Sequence, residues 1–216
     1  MQNLRYCHGA LRQGALYDLL GRSAGHDMRT ITVAQMAQRY DVDAEQAKRL
    51  ADSAVSMFEQ IDTRSNAQEH SEKRQLLTWA AQLAEIGLSI SHDSYHKHSA
   101  YILRNADMQG FSRPEQRVLA MLALGQTGGL RKLRDLVKNQ SEWEMVLCLR
   151  IACILHRRRD PEPRPLPTMS TKKKRILVRL PNTWTQTHPL TDETMRNEAQ
   201  TWSDVSAFSA VHYETN

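Results

Sequence analysis

Residues 141–180 read SEWEMVLCLRIACILHRRRDPEPRPLPTMSTKKKRILVRL, and this stretch decides the fold. Its first part is helical: Trp143, Leu147, Ile151, Ile154 and Leu155 recur at helical spacing. Ser141 with Glu144 has the spacing of a capping box at the start of that helix. After the basic run Arg157–Arg159 come Pro161, Pro163, Pro165 and Pro167, four of the chain's seven prolines. Proline fixes φ and lacks an amide hydrogen, so this part cannot be helical. Residues 159–172 are expected to form a fairly stiff linker. Arg175–Leu180 then brings β-branched and apolar residues suited to a strand. The organisation therefore changes from helical to α/β near residue 159.

Toward the N-terminus, helix signals dominate. Asp43 with Gln46 suggests a capping box, followed by one apolar face of Ala47, Leu50, Ala51, Ala54, Phe58 and Ile61. Leu76, Leu77, Ala80, Leu83 and Ala84 predict a second helix that stops near Gly87. Ser112 with Glu115 starts another, with Val118, Leu119 and Leu122 inward. Shorter helices are expected over 33–40, 94–104 and 130–137. Toward the C-terminus, Pro189-Leu190-Thr191-Asp192-Glu193 reads as a helix start with acidic residues in the first turn. That helix carries Met195, Ala199 and Trp202, and a last strand is expected over 207–213. A β-α-β unit of this size has too little core to stand alone, so it is expected to dock on the helices. The fold class is mainly α, a helical bundle followed by a small α/β subdomain over 173–216.

Composition bounds the function. The 216 residues are 40% hydrophobic, enough for a core. No run approaches 18 apolar residues, and residues 1–14 show no apolar leader segment. Cys148 and Cys153 lie five apart on one expected helix, which disfavours a disulfide, and Cys7 has no evident partner. A reducing, cytoplasmic setting is expected. The net charge of +5 points to an anionic partner: polyphosphate, nucleic acid or a membrane surface. The basic residues crowd into 131–138, 157–159 and 172–175.

The residue types that carry chemistry are few. Ile90-Ser91-His92-Asp93-Ser94-Tyr95-His96-Lys97-His98 joins imidazoles to a carboxylate, a combination that holds water-activating metals. The plainer reading is a helix start with surface histidines. Gly125-Gln126-Thr127-Gly128-Gly129 follows a helix instead of a strand, so it reads as a helix–helix turn and not as a phosphate loop.

Several segments, in order, resemble the exopolyphosphatase / guanosine pentaphosphate phosphohydrolase family. Gly9-Ala10-Leu11-Arg12-Gln13-Gly14-Ala15-Leu16-Tyr17-Asp18-Leu19-Leu20-Gly21-Arg22 is similar to the segment that closes that family's phosphatase domain, with Gln13 where the family usually has Glu. Trp79–Gly87, His96–Leu103, Gly110-Phe111-Ser112, Gly129–Leu133 and Leu149–Ala152 with its basic tail follow. Trp184, Pro189-Leu190 and Glu198 complete the pattern.

The resemblance implies an HD-type helical domain over 29–158 and, over residues 1–28, a remnant of an actin-like catalytic domain. Ala84-Glu85 would correspond to the HD metal doublet, and Ala84 cannot ligate. It also implies that catalysis, with Mg²⁺ in the full-length family, belongs to preceding domains, so this chain would be a truncated, catalytically silent region with no cofactor of its own. It further implies a homodimer that binds inorganic polyphosphate or guanosine pentaphosphate. Arg131, Lys132, Arg134, Lys138, Arg150, Arg157, Lys172, Lys173, Lys174 and Arg175 are the expected phosphate contacts. The alternative is a stand-alone metal-dependent phosphohydrolase using His92, Asp93 and His96, and nucleic-acid binding by the same basic surface stays open.

Overall fold

The structure, a computed structural model, describes residues 27–172, 175–204, 208 and 210–216. The expected remnant over 1–28 therefore lies almost wholly outside the described residues. So do Cys7, Lys173 and Lys174.

The described chain is mainly helical with a small sheet near its end. Six helices come first: α1 (Met28–Arg39), α2 (Ala44–Ile61), α3 (Ala67–Gln82), α4 (Tyr95–Asn105), α5 (Arg113–Gly125) and α6 (Gln140–Leu155). Their caps explain where they begin. The Asp43 side chain accepts from the Gln46 amide at 2.9 Å. The reciprocal half of that box is absent, because the Gln46 carboxamide donates instead to the carbonyl of His156, at 2.9 Å and 110 residues away. Ser112 and Glu115 do form the full box. Helix α6 starts earlier than expected. Asn139 is its cap, accepting from the Glu142 amide at 2.9 Å, and the Glu142 carboxylate reaches back to the Lys138 amide. Ser141 and Glu144 fall inside the helix because Glu144 is buried against Arg64 and is not free to turn back.

Helix α6 is buried on nearly every side, from Glu142 through Ala152, so Met145, Val146, Cys148 and Leu149 join the core beside the expected face. Helices that are apolar all round are interior ones. Helix α2 packs against α3 and α6, and α4 against α5.

A turn after α3 fixes the approach of α4. A Cβ on Gly87 would lie 2.3 Å from the Tyr95 carbonyl oxygen, so only glycine allows this contact. Ser99 locks it, accepting from the Gly87 amide at 3.0 Å and donating to the Ala84 carbonyl at 2.8 Å.

The sheet has strands β1 (Thr168–Lys172), β2 (Arg175–Leu180) and β3 (Ala210–Thr215) in the order β1-β2-β3. Helices α7 (Asn182–Thr187) and α8 (Pro189–Thr201) cross over between the parallel pair β2 and β3. Strand β1 occupies the end of the segment expected to be linker; it pairs antiparallel with β2, Thr168 opposite Arg179 through Lys172 opposite Arg175. Ile176, Val178 and Leu180 point inward. The α/β part docks on the helices: the Gln60 side chain brackets β1, accepting from the Met169 amide and donating to the Pro167 carbonyl. Trp143 of α6 meets Trp202 edge-on at 5.8 Å. One continuous core runs from α2 and α6 into the sheet. Among the described residues no helix is long and apolar enough to cross a membrane.

Candidate functional site

A cleft of about 500 Å³ opens where α6 ends. Glu85 and Leu88 after α3, His92 and Tyr95 before and in α4, Thr127 after α5, and Arg150, Cys153 and Arg157 line it, with α8 closing one side. Gln126 and Thr127 of the turn Gly125–Gly129 also line it, and Arg150, Lys132 and His96 lie about that turn.

Arg150 lies under the turn. Its Nε and Nη2 donate to the two carboxylate oxygens of Glu198 at 2.6 Å each. Its Nη1 donates to the carbonyls of Gly125 at 2.8 Å and Gly128 at 2.9 Å. Four of the five guanidinium donors are thus committed inside the protein. Arg150 is only 5% exposed. The residue expected to contact phosphate is instead a clip that holds α8 and the turn onto α6. Glu198 also accepts from the Trp202 indole at 2.7 Å, which fixes the carboxylate.

Lys132 lies over the same turn. Its Nζ donates to the Thr127 carbonyl at 2.6 Å, and among the described residues it makes no ion pair. Burial pushes its ammonium down to about 8, and the charges of Arg150 and Lys97 add to the effect. His96 approaches from α4. Burial first, then Lys132, Lys97 and Arg150, hold it down to about 4 against the weak opposing pull of Asp93. Both groups meet at Gly128, whose φ is +76°: a Cβ there would sit 3.2 Å from Lys132 Nζ and 3.8 Å from His96 Nε2.

The mouth carries Arg157, exposed, and Arg159. Arg159 has a φ of 57°, and its guanidinium bonds Glu85 at 2.7 Å and lies 3.8 Å from Asp43. Burial still pushes the Glu85 carboxyl above its ordinary value.

The other expected contacts scatter. Arg131 and Lys132 belong to a 3-10 helix, Leu130–Leu133, with Arg134 at its end. The expected longer helix over 130–137 does not form, so the basic stripe is broken. Lys138 lines a second hollow of about 450 Å³, walled by Ala100, Tyr101, Met121 and Leu124. Lys172 and Arg175 flank the β1–β2 hairpin, both exposed. Arg159 and Glu85 line the cleft, and Lys97 acts by its charge on His96 and Lys132; none of the three was among the expected contacts. Arg159 was visible in the basic run after α6, whereas Lys97 had no signal beyond its histidine neighbours.

A divalent ion held as in an HD-type site does not fit these residues. Ala84 is buried, its carbonyl taken by Ser99 and Gln126, and Glu85 is held by Arg159. Among the described residues no three His, Cys, Asp or Glu side chains are grouped to hold a metal ion. His92 and Asp93 are exposed, and His96 turns to Lys132 and Gly128.

The sequence model of Ppx/GppA phosphatase, domain III, matches residues 28–199, the greater part of the chain. The chain belongs to the Ppx/GppA phosphatase family. The match spans all of α1 to α6 and reaches nearly to the end of α8, so the Ppx/GppA region includes both sides of the cleft, Arg150 and Glu198 among them.

Proposed function

We propose that this chain is the polyphosphate-binding, dimerising region of an exopolyphosphatase-type enzyme, cytoplasmic and catalytically silent by itself. In such an enzyme, release of terminal phosphate from polyphosphate or guanosine pentaphosphate would be the work of other domains. The observation that carries this reading is the gathering of cations around the C-terminal half of α6 and the turn Gly125–Gly129. Arg157 lines the cleft, Lys132 and Lys97 lie close enough to Arg150 for their charges to repel, and the cleft's Glu198 and Glu85 are already matched by Arg150 and Arg159. Concentrating like charges costs free energy unless an anion offsets them. Arginine and lysine suit phosphate, the first as a fork of donors and the second as a point charge. Exposed Lys172 and Arg175 extend the basic surface. The unpaired thiols of Cys148 and Cys153 suit a reducing compartment.

Binding of labelled long-chain polyphosphate, measured over a range of NaCl concentrations, tests this. Affinity should fall steeply with salt as counterion release is lost. Light scattering on the same sample should give twice the chain mass. No phosphate should be released with Mg²⁺ present. Absence of binding at low salt would refute the reading.

A further inference from the structure

We infer that the hollow between α4 and α5 binds a small aromatic anion, with its ring at Met121 and Tyr101 and its carboxylate or phosphate at Arg104 and Arg113. The inference goes beyond polyphosphate binding and does not depend on it, since the hollow shares no lining residue with the cleft at the end of α6. Size comes first. The hollow holds about 450 Å³, inside the range of roughly 300–1,000 Å³ that small-molecule sites occupy. Its lining runs along α5 from Arg113 to Leu124, a length of about 16 Å. A trough so long and so small has a section of roughly 30 Å², well under that of a helix about 10 Å across. It therefore takes a ring and not a docked helix.

The lining then names the chemistry. Ala100, Ala120 and Met121 are buried and Leu124 and Leu136 half-buried, so the floor is apolar. Gln116, the buried amide beside them, donates inward to the carbonyls of Leu103 and Ala106 at 2.8 and 2.7 Å. Tyr101 stands at the edge of this floor with 68% of its surface exposed. Thioether sulfur, a phenol ring and guanidinium groups each favour an aromatic partner. Charge adds the second requirement. Arg117 donates to the Leu136 carbonyl at 2.7 Å and pairs with Glu142, so it is matched. Arg104, Arg113 and Lys138 are exposed and make no ion pair among the described residues. Asp135 is the one carboxylate in the lining, so three unmatched cations against one anion leave an excess of two positive charges. A neutral ring would leave that charge unanswered, and inorganic phosphate would leave the apolar floor uncovered. An aromatic carboxylate or aryl phosphate answers both.

The test is calorimetric titration of the full chain with 2-naphthoate, 2-naphthyl phosphate and neutral 2-naphthol. Wild type should bind each anion one to one and 2-naphthol at least tenfold more weakly. Arg104→Gln/Arg113→Gln should weaken both anions by roughly tenfold or more, the size of a lost charge-assisted contact. Tyr101→Ala should weaken all three ligands by roughly threefold or more, as loss of an aromatic contact does. These three side chains are exposed, so the variants should melt as wild type does. Lys48→Gln, which removes an exposed cation on α2, should change nothing. The tighter of the two anions identifies the head group as carboxylate or phosphate. Binding of 2-naphthol as tight as 2-naphthoate overturns the inference, as does anion binding that survives the double variant or falls equally in Lys48→Gln. Absence of binding by either anion at millimolar concentration overturns it too, and leaves the polyphosphate reading untouched.

Discussion

The two sides of the Gly125–Gly129 turn hold the same kind of charge in opposite circumstances. Beneath it, Arg150 is buried with a bidentate carboxylate and two carbonyls. Above it, Lys132 donates to the Thr127 carbonyl and, among the described residues, pairs with no carboxylate. A buried charge that is fully matched holds a fold together; a half-buried charge that lacks a match is a place for something else to bind. Cation clusters in a sequence do not distinguish the two, because the matching groups come from far along the chain.

The sharpest way to break the comparison is to remove one partner beneath the turn. Glu198→Ala leaves Arg150 buried and unpaired, which should cost about 3–5 kcal/mol. For a chain of this size that is a drop of roughly 10 °C in thermal unfolding. The double variant Arg150→Met/Glu198→Leu should lose far less, since neither charge then remains buried. If the single and double variants fall equally, the pair is not the clip described.

Acid should act next. His156 is held down to about 4 by burial first and then by Arg164 and Arg49, against Asp160. Its Nε2 meets the Ser53 hydroxyl at 2.8 Å, and its buried Nδ1 has no partner among the described residues. The unfolded chain takes up this proton near pH 6.5. Between there and about pH 4 the unfolded state holds more protons than the native one, so stability is present above that window and falls as the pH drops through it. His96 acts in the same direction. His156→Gln should flatten the fall in melting temperature between those two pH values; an unchanged slope would show that the buried ring is not its source.

Smaller effects test the placement of α6 and of the cleft mouth. Asn139→Ala should cost about 1 kcal/mol, read by chemical denaturation, and Ser141→Ala less, because only Asn139 caps the helix. The reverse order would restore the later start. Arg157→Ala should lower the slope of log affinity against log salt for polyphosphate by about one. No change would place Arg157 off the binding path.

Much of the fold was legible because its signals are local. Ser112 and Glu115 cap α5 as their spacing requires, and Ile176, Val178 and Leu180 alternate inward as a half-buried strand should. Strand β1 was not legible. Thr168–Lys172 has only Met169 buried, and its pairing depends on the hairpin with β2 and on Gln60 of α2. The start of α6 was ambiguous because Asn139/Glu142 and Ser141/Glu144 share one spacing, and only the burial of Glu144 decides between them.

The site was half legible. Arg157 and Lys132 stood out as charge, but Glu198, 48 residues beyond Arg150, gave no sign of pairing with it. Lys138 parted from Lys132 because residues 130–133 wind as a 3-10 helix and not as the longer α-helix that would have aligned them.

The most direct test of the central claim is titration of the purified chain with long-chain polyphosphate, beside the Lys132→Met variant, at low and moderate salt. The account predicts tight, salt-sensitive binding by wild type and clearly weaker binding by the variant, with both proteins melting at nearly the same temperature. Wild-type binding too weak to detect at low salt would contradict it.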